Sequence, residues 1–424
     1  MLSIINSAEE LNRKLQLRSK SSLLENALIE EIVSSVKLNG DKAIRTFTER
    51  FDNISLGEFC VSDNLIVKST KSISQELNFS IKRAIENIQK FHTKQLPSGF
   101  RIDQMDGTQA RFEWRSIDRV GLYIPGGRYP LFSTLLMNVI PAQVAGVKEI
   151  AICSPPCKSN TVDDTILAVC SMLGISEIYS IGGAQAIAAL AYGTDSIPAV
   201  DKITGPGNNF VTLAKKLVSS DVDIDMLAGP TELVVFADDT AFPEKIALDL
   251  IAQAEHDDEA WPVLISLDEK IVLETNTYIH NALKELPIDN TARTALTKSG
   301  FAYVGKSLEE CISIINRISP EHLSLQVRDP EKLIKSVKAA AIFLGNETPP
   351  AWGDYWSGAN HTLPTGGRAR VRGPLSVYDF LVSYSVVHTP FNTLLESEEN
   401  VIRLAETEGL LAHAQSIKKR VKND

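Results

Sequence analysis

The chain has 424 residues, 44% of them hydrophobic and 23% charged, a globular balance with room for roughly two to four domains. Its formal net charge of -10 lacks the basic field that a nucleic-acid-binding surface needs. Five cysteines in no disulfide or zinc-ribbon spacing, no run apolar enough to span a bilayer and no signal peptide at the start lead us to expect a reducing, cytoplasmic location.

Residues 1–98 read as helical. Leu23, Leu24, Ala27, Leu28, Ile32 and Val33 recur at helical spacing until Asn39-Gly40, and a second helical run covers 72–92 before Pro97-Ser98-Gly99. From about 119 strands alternate with helices. Strands are expected at 120–124, ending in Pro125-Gly126-Gly127, at 149–153, at 177–181, ending in Gly182-Gly183, and at 200–203, ending in Thr204-Gly205-Pro206-Gly207-Asn208. Helices fall between them at 131–146, 161–173 and 184–192. Within this series Cys153 reads as a small apolar residue ending a strand and Cys157 as a loop residue, with a metal pair as the sharper alternative.

A second series follows. Strands are expected at 233–236, 263–266, 302–304 and 340–344, with helices at 243–256 (Pro243 in the first turn), 269–285 and 307–317. The tail from 376 to 424 reads as mostly helical with too little apolar content for its own core, so it should pack on another domain or another subunit. Lys418-Lys419-Arg420 near its end suit a helix C-terminus. The fold class is therefore α/β: two Rossmann-like parallel-sheet domains, a helical N-terminal segment and a helical C-terminal tail. Ligands of such sheets gather at the carboxyl ends of the strands.

Of seven histidines, four stand in short clusters with an acid or amide. Gln253 and His256 share a helix face near its end, where an amide oxygen and an imidazole can reach one ion; a solvated helix end is the plainer reading. Asp354 and His361 lie in a stretch read as irregular between Pro349-Pro350 and Gly366-Gly367, where Asp354 is either a hard ligand or an Asx turn. Glu321-His322 follows Pro320, and on irregular backbone the two could divide proton transfer and water activation; the alternative is a capping acid beside a surface histidine. His413 shares a stripe with Leu410, Ala414 and Ile417, as a core or interface residue or as a ligand delivered to a neighbouring subunit. The glycine turns at 182–185 and 205–208 can approach phosphate, but Phe210 stands where a dinucleotide fingerprint has glycine.

Together these segments resemble histidinol dehydrogenase. The matching runs are VGLYIPGG at 120–127, PAQVAGVK at 141–148, GGAQAIAA at 182–189, TGPGN at 204–208, IDMLAGPTE at 224–232, AQAEHD at 252–257, SPEHL at 319–323, residues 353–367 and residues 408–413, in the family's order. The resemblance implies a zinc-dependent, NAD-linked, four-electron alcohol dehydrogenase that takes L-histidinol through L-histidinal to L-histidine with two NAD+, the last steps of histidine biosynthesis. It implies one zinc per subunit on Gln253, His256, Asp354 and His413, with His413 and Glu408 reaching the site of the partner in a homodimer. His322 and Glu321 would be the acid/base pair. Thr231, Gln253, His256, His322, Asp354, His361, Glu408 and His413 would contact substrate, and Tyr123, Gln185 and Asn208 would bind NAD+.

The expected organisation is an N-terminal helical segment 1–20, a first α/β domain of 21–118 plus 230–375 carrying the metal and catalytic residues, a second α/β domain 119–229 on the NAD side, and the tail 376–424. No nucleic-acid or membrane partner is expected. Two departures from the family stand out: Thr231 where serine is common, and the basic loop containing Arg368, Arg370 and Arg372. The loop keeps open a rival within the family, oxidation of another small alcohol such as a sulfonated diol. A zinc hydrolase using Glu321 to activate water is a further alternative, and manganese or cobalt would also suit the donor set.

Overall fold

Two parallel sheets carry the site, in a computed structural model that describes residues 1–5, 7–18, 23–105, 107–126, 130–157 and 160–421. Of the turn expected at Pro125-Gly126-Gly127, Gly127 lies outside the described residues. The chain divides into two compact units, residues 1–95 with 118–379 and residues 96–117 with 380–424.

In the first unit, one sheet runs Ser3–Ile5, Phe301–Val304, Trp261–Ser266, Glu232–Ala237, His322–Gln326, Ala341–Leu344, every neighbouring pair parallel. Its central strands are near-continuous apolar runs because both faces are covered. Leu233 and Val235 pack with the helices Pro243–Ala254, Glu269–Glu285 and Thr291–Lys298. Val234 and Phe236 pack on the opposite face with Leu11 and with Ile314, Ile315 and Ile318 of the helix Leu308–Ile318. The other sheet runs Ile178–Ser180, Glu149–Ser154, Arg119–Tyr123, Lys202–Thr204, Asp223–Ile224, again all parallel. Ile29, Ile32 and Val36 of the helix Leu23–Asn39 join its core together with Ile187 and Leu190 of Gly183–Tyr192. Cys153 is buried in its strand, as its apolar neighbours require.

The second unit holds an antiparallel sheet, Leu381–His388, Gln109–Ser116, Phe100–Asp103, and the paired helices Phe391–Thr407 and Leu411–Val421. It leaves Val382, Val387, Phe391, Leu395 and Leu404 exposed.

The alternating βα series is observed where it was expected. Both ends are mainly helical, as expected, and each also contains one strand that the periodicity did not show. Residues 3–5 form a parallel edge strand on Phe301–Val304 before the helix Ala8–Leu17 begins, and the tail contains the eight-residue strand Leu381–His388. Both strands exist through pairing with distant partners, which local periodicity does not report. Asp354, read as part of an irregular loop, sits on the short helix Pro350–Tyr355, with proline at its first position. His322, likewise placed on irregular backbone, is the first residue of a central strand. Among the described residues no helix is long and apolar enough to cross a membrane.

Candidate active site

A cavity of about 550 Å³ in the first unit gathers seven of the expected site residues: Thr231, Gln253, His256, Glu321, His322, Asp354 and His361. Asn208 lines it from the other sheet, with Gly126 and Gly207. The two sheets present opposite ends to it. Gly126 and residues 206–208 follow strands of the five-stranded sheet, as the carboxyl-end rule for such sheets leads one to expect. Thr231, Glu321 and His322 stand at the amino ends of strands of the six-stranded sheet, which departs from that rule. The ladder explains why chemistry can sit there: the first residues of adjacent parallel strands point main-chain donors and acceptors at each other's side chains.

Glu232 begins one strand and His322 the next, paired in register through Leu233. The Glu232 amide donates to Glu321 Oε2 at 2.8 Å, and the Glu232 carbonyl accepts from His322 Nδ1 at 3.1 Å. That bond fixes the neutral imidazole as the Nδ1–H tautomer and leaves Nε2 as its basic atom. Thr231 Oγ1 donates to the same Glu321 oxygen at 2.6 Å while accepting from Gln253 Nε2. Gln253 is thereby oriented with its amide nitrogen inward, and its Oε1 makes no hydrogen bond among the described residues. The ring of His322 stacks on Phe343, and Gly353 fits beside that phenyl group because a Cβ there would come 2.7 Å from Phe343 Cε1.

The electrostatics of the pair are coupled. Burial disfavours charge on His322, but the Glu321 carboxylate 3.6 Å away, with Asp354 and the Glu232 carbonyl, outweighs it and lifts the imidazole to about 9. Burial likewise works against the Glu321 carboxylate, yet His322, Thr231 and the Glu232 amide together hold it below the ordinary glutamate range. His361 Nδ1 donates to the Asp354 carbonyl at 3.0 Å. Burial drives the His361 imidazole down despite the Asp354 carboxylate.

Of the residues expected to bind cofactor, Tyr123 and Gln185 are buried at 4% and 2% exposure and do not line the cavity. The Tyr123 hydroxyl accepts from the Gly183 amide at 3.2 Å, which ties the strand end to the first turn of the helix that carries Gln185. Asn208 caps the helix Asn209–Val218, its Oδ1 accepting from Val211 at 3.1 Å. Gly205 is required here: its φ is +113° and a Cβ would lie 2.0 Å from the Tyr123 carbonyl oxygen. Beneath this turn a buried pair, Lys215 and Asp225, grips Gly205 by both main-chain groups, at 3.0 Å to its carbonyl and 2.8 Å to its amide.

Glu408 and His413 belong to the second unit, where both are exposed. Among the described residues no group of three or more His, Cys, Asp or Glu side chains converges as a metal cage. Reading the sequence did not single out Glu232, Arg18 or the Lys215–Asp225 pair. Glu232 and Asp225 fall inside the matched run 224–232 without standing out in it, and the partners of all four residues are fixed by the fold, with no local signal.

The family profile for histidinol dehydrogenase matches residues 16–421. Among relatives, histidinol dehydrogenase of Oceanobacillus iheyensis is 41% identical over 97% of this chain and 97% of its own. That of Bacillus subtilis is 41% identical over 98% and 97%. The chain belongs to the histidinol dehydrogenase family. It is thus placed among oxidoreductases, and the solved histidinol dehydrogenase of Elizabethkingia anophelis matches it with a TM-score of 0.92 at 37% identity, covering 99% of this chain and 98% of that one. An acetylating aldehyde dehydrogenase of Geobacillus thermoglucosidasius, at 14% identity, 90% and 97% coverage and a TM-score of 0.50, shares the fold alone.

Proposed function

We propose that this member of the family oxidises L-histidinol through L-histidinal to L-histidine with two NAD+. The observation that carries the reading is the buried Glu321–His322 pair at the cavity wall, with the Nδ1 of His322 engaged and its Nε2 left for proton transfer. In the first step the Nε2 of His322 takes the alcohol proton while the carbinol C–H leaves as hydride to the nicotinamide, giving aldehyde and NADH. Glu321 then takes a proton from water as the oxygen adds to the aldehyde carbon, and His322 returns the proton it holds to the former aldehyde oxygen, which frees its Nε2 to act as base again. The hydrate so formed again carries both an O–H and a C–H, so the same pair supports a second hydride transfer, to the carboxylic acid and a second NADH. A bare aldehyde and a single base would stop halfway.

The donor set fits a zinc ion. Gln253 presents its carbonyl oxygen, and His256 and Asp354 line the same cavity. These three, with His413 of the partner subunit in a homodimer, would hold it. A zinc ion there would anchor the substrate's imidazole and amine and, by its charge, lower the proton affinity of nearby bases. The exposed apolar side chains of the second unit support a partner subunit covering them. Glu408 of that subunit would meet the substrate amine, and His361 would contact substrate from the cavity wall. Tyr123, Gln185 and Asn208 would shape the NAD+ site, Asn208 by contact and the buried two by fixing the turns around it.

The sulfonated-diol alternative rests on the basic loop. There Arg370 donates to the Arg317 carbonyl at 2.8 Å, Arg372 pairs with Asp379 at 2.5 Å, and neither lines the cavity. A cationic substrate suits the acid-lined site better. The test is to supply zinc, NAD+ and L-histidinol and to count NADH per substrate consumed. Two NADH with histidine as product is the expected result. Folded, zinc-loaded protein that forms no NADH from histidinol would sink the assignment.

A further inference from the structure

Arg18 caps the end of the helix Ala8–Leu17, yet it reaches a residue 214 positions later in the chain. Its Nε and Nη2 donate to the two carboxylate oxygens of Glu232 as a fork. Its third nitrogen, Nη1, donates to the Ile318 carbonyl at 2.6 Å, and the guanidinium lies 5.1 Å from the centre of the Trp261 ring. The side chains of the pair are 9% and 3% exposed.

Glu232 is in turn bonded to both groups of the proposed catalytic pair. Its amide and carbonyl hold Glu321 and His322, as described above. Its side chain closes the loop: Glu232 Oε2 accepts from the Glu321 amide at 3.3 Å, and Oε1 accepts from the Gly366 amide at 3.1 Å. A shift of Glu232 therefore displaces a carboxylate and an imidazole together.

The arrangement also solves an electrostatic problem. Glu232 and Glu321 are two carboxylates buried side by side, and each disfavours the other's charge. Burial pushes Glu232 up, and the Arg18 guanidinium against both oxygens is what opposes it. With Arg18 spent on Glu232, the charge of Glu321 is left to His322.

We propose that Arg18 is a positioning residue for the reaction: by locking the Glu232 carboxylate it sets both the register and the charge of the Glu321–His322 pair. The inference rests on the reading of that pair as the acid/base machinery.

The test compares wild type, Arg18→Met and Arg18→Lys, each zinc-loaded, with L-histidinol and NAD+. Arg18→Met should lower kcat at least tenfold or so with KM for both substrates within about twofold, because the groups displaced act in the transition state. The acid limb of its kcat profile should move to higher pH, since an uncompensated carboxylate beside Glu321 favours the protonated form. Arg18→Lys, which keeps the charge but not the fork, should fall between the two. An Arg18→Met protein with a lower melting temperature but wild-type kcat and pH profile would overturn the proposal and leave a structural staple. Should Arg18→Met fail to fold, Arg18→Lys decides: wild-type kcat and an unmoved profile overturn the proposal, and a reduced kcat with a shifted limb supports it. Absence of turnover in the wild type would instead mark failure of the histidinol reading, so the two failures are distinct.

Discussion

Replacing Thr231 with valine removes one hydroxyl and almost nothing else in shape. That hydroxyl donates to Glu321 at 2.6 Å and accepts from Gln253. A hydrogen bond to an ionised buried group contributes about 1.5–3 kcal/mol. Losing about 2 kcal/mol of it in the transition state corresponds to roughly a thirtyfold fall in kcat. The carboxylate keeps its bond from the Glu232 amide, so it should stay in place. The bond that is lost is one of those that hold Glu321 below its ordinary range against burial, so its pKa rises in the variant. A base is lost below its pKa; the acid limb of kcat therefore moves to higher pH. Steady-state NADH formation from L-histidinol and, separately, from L-histidinal would measure both effects, with the aldehyde step hit harder because it uses Glu321. Thr231→Ser keeps the hydroxyl and should remain within about threefold of wild type. A Thr231→Val enzyme within about twofold of wild type, with the same acid limb, would refute the relay.

Further outcomes can be checked alongside. His322→Asn should cut NADH formation by about a hundredfold or more, as loss of a general base does, and retention of turnover would assign the base elsewhere. The wild-type kcat/KM, which reports the free enzyme, should climb with pH and level off no higher than about 9, set by the raised imidazole of His322; a plateau complete by about pH 6 would contradict the coupling to Glu321. Asp354→Asn should release zinc, read as metal content after dialysis, with full retention counting against its place in the donor set. Lys215→Met leaves Asp225 buried and unpaired, so chemical denaturation should show about 3–5 kcal/mol lost, together with a raised KM for NAD+; an unchanged midpoint would mean that the pair is dispensable.

The parts of the fold visible in the sequence were those with strong local pattern. Strands such as Glu232–Ala237 and Trp261–Ser266 are buried on both faces and read as unbroken apolar runs between helical stretches. Residues 3–5 and Leu381–His388 escaped because they are edge strands, short or half-exposed, held by distant partners. Three of the four histidine clusters legible in the sequence, at 253–256, 321–322 and 354–361, meet at one cavity, and the adjacent strands that begin at Glu232 and His322 bring Thr231, Glu321 and His322 to it; Glu408 and His413 lie in the second unit. Arg18 was not legible. Its role depends on a register between the first helix and a strand two hundred residues on, and an arginine in that helix looks locally like any solvated charge.

That the first strand is also an edge of the last-completed sheet bears on how the protein comes to exist on the ribosome. Residues 3–5 pair with a strand that starts at Phe301, and the centre of the same sheet waits for His322–Gln326. Segments threaded out first must therefore remain unpaired until most of the chain has been synthesised, while the five-stranded sheet, contained within residues 119–224, can close on its own much earlier. The strands of the five-stranded sheet are thus all synthesised before those of the six-stranded sheet are complete, and a nascent chain halted before residue 322 lacks the strand that follows Glu321.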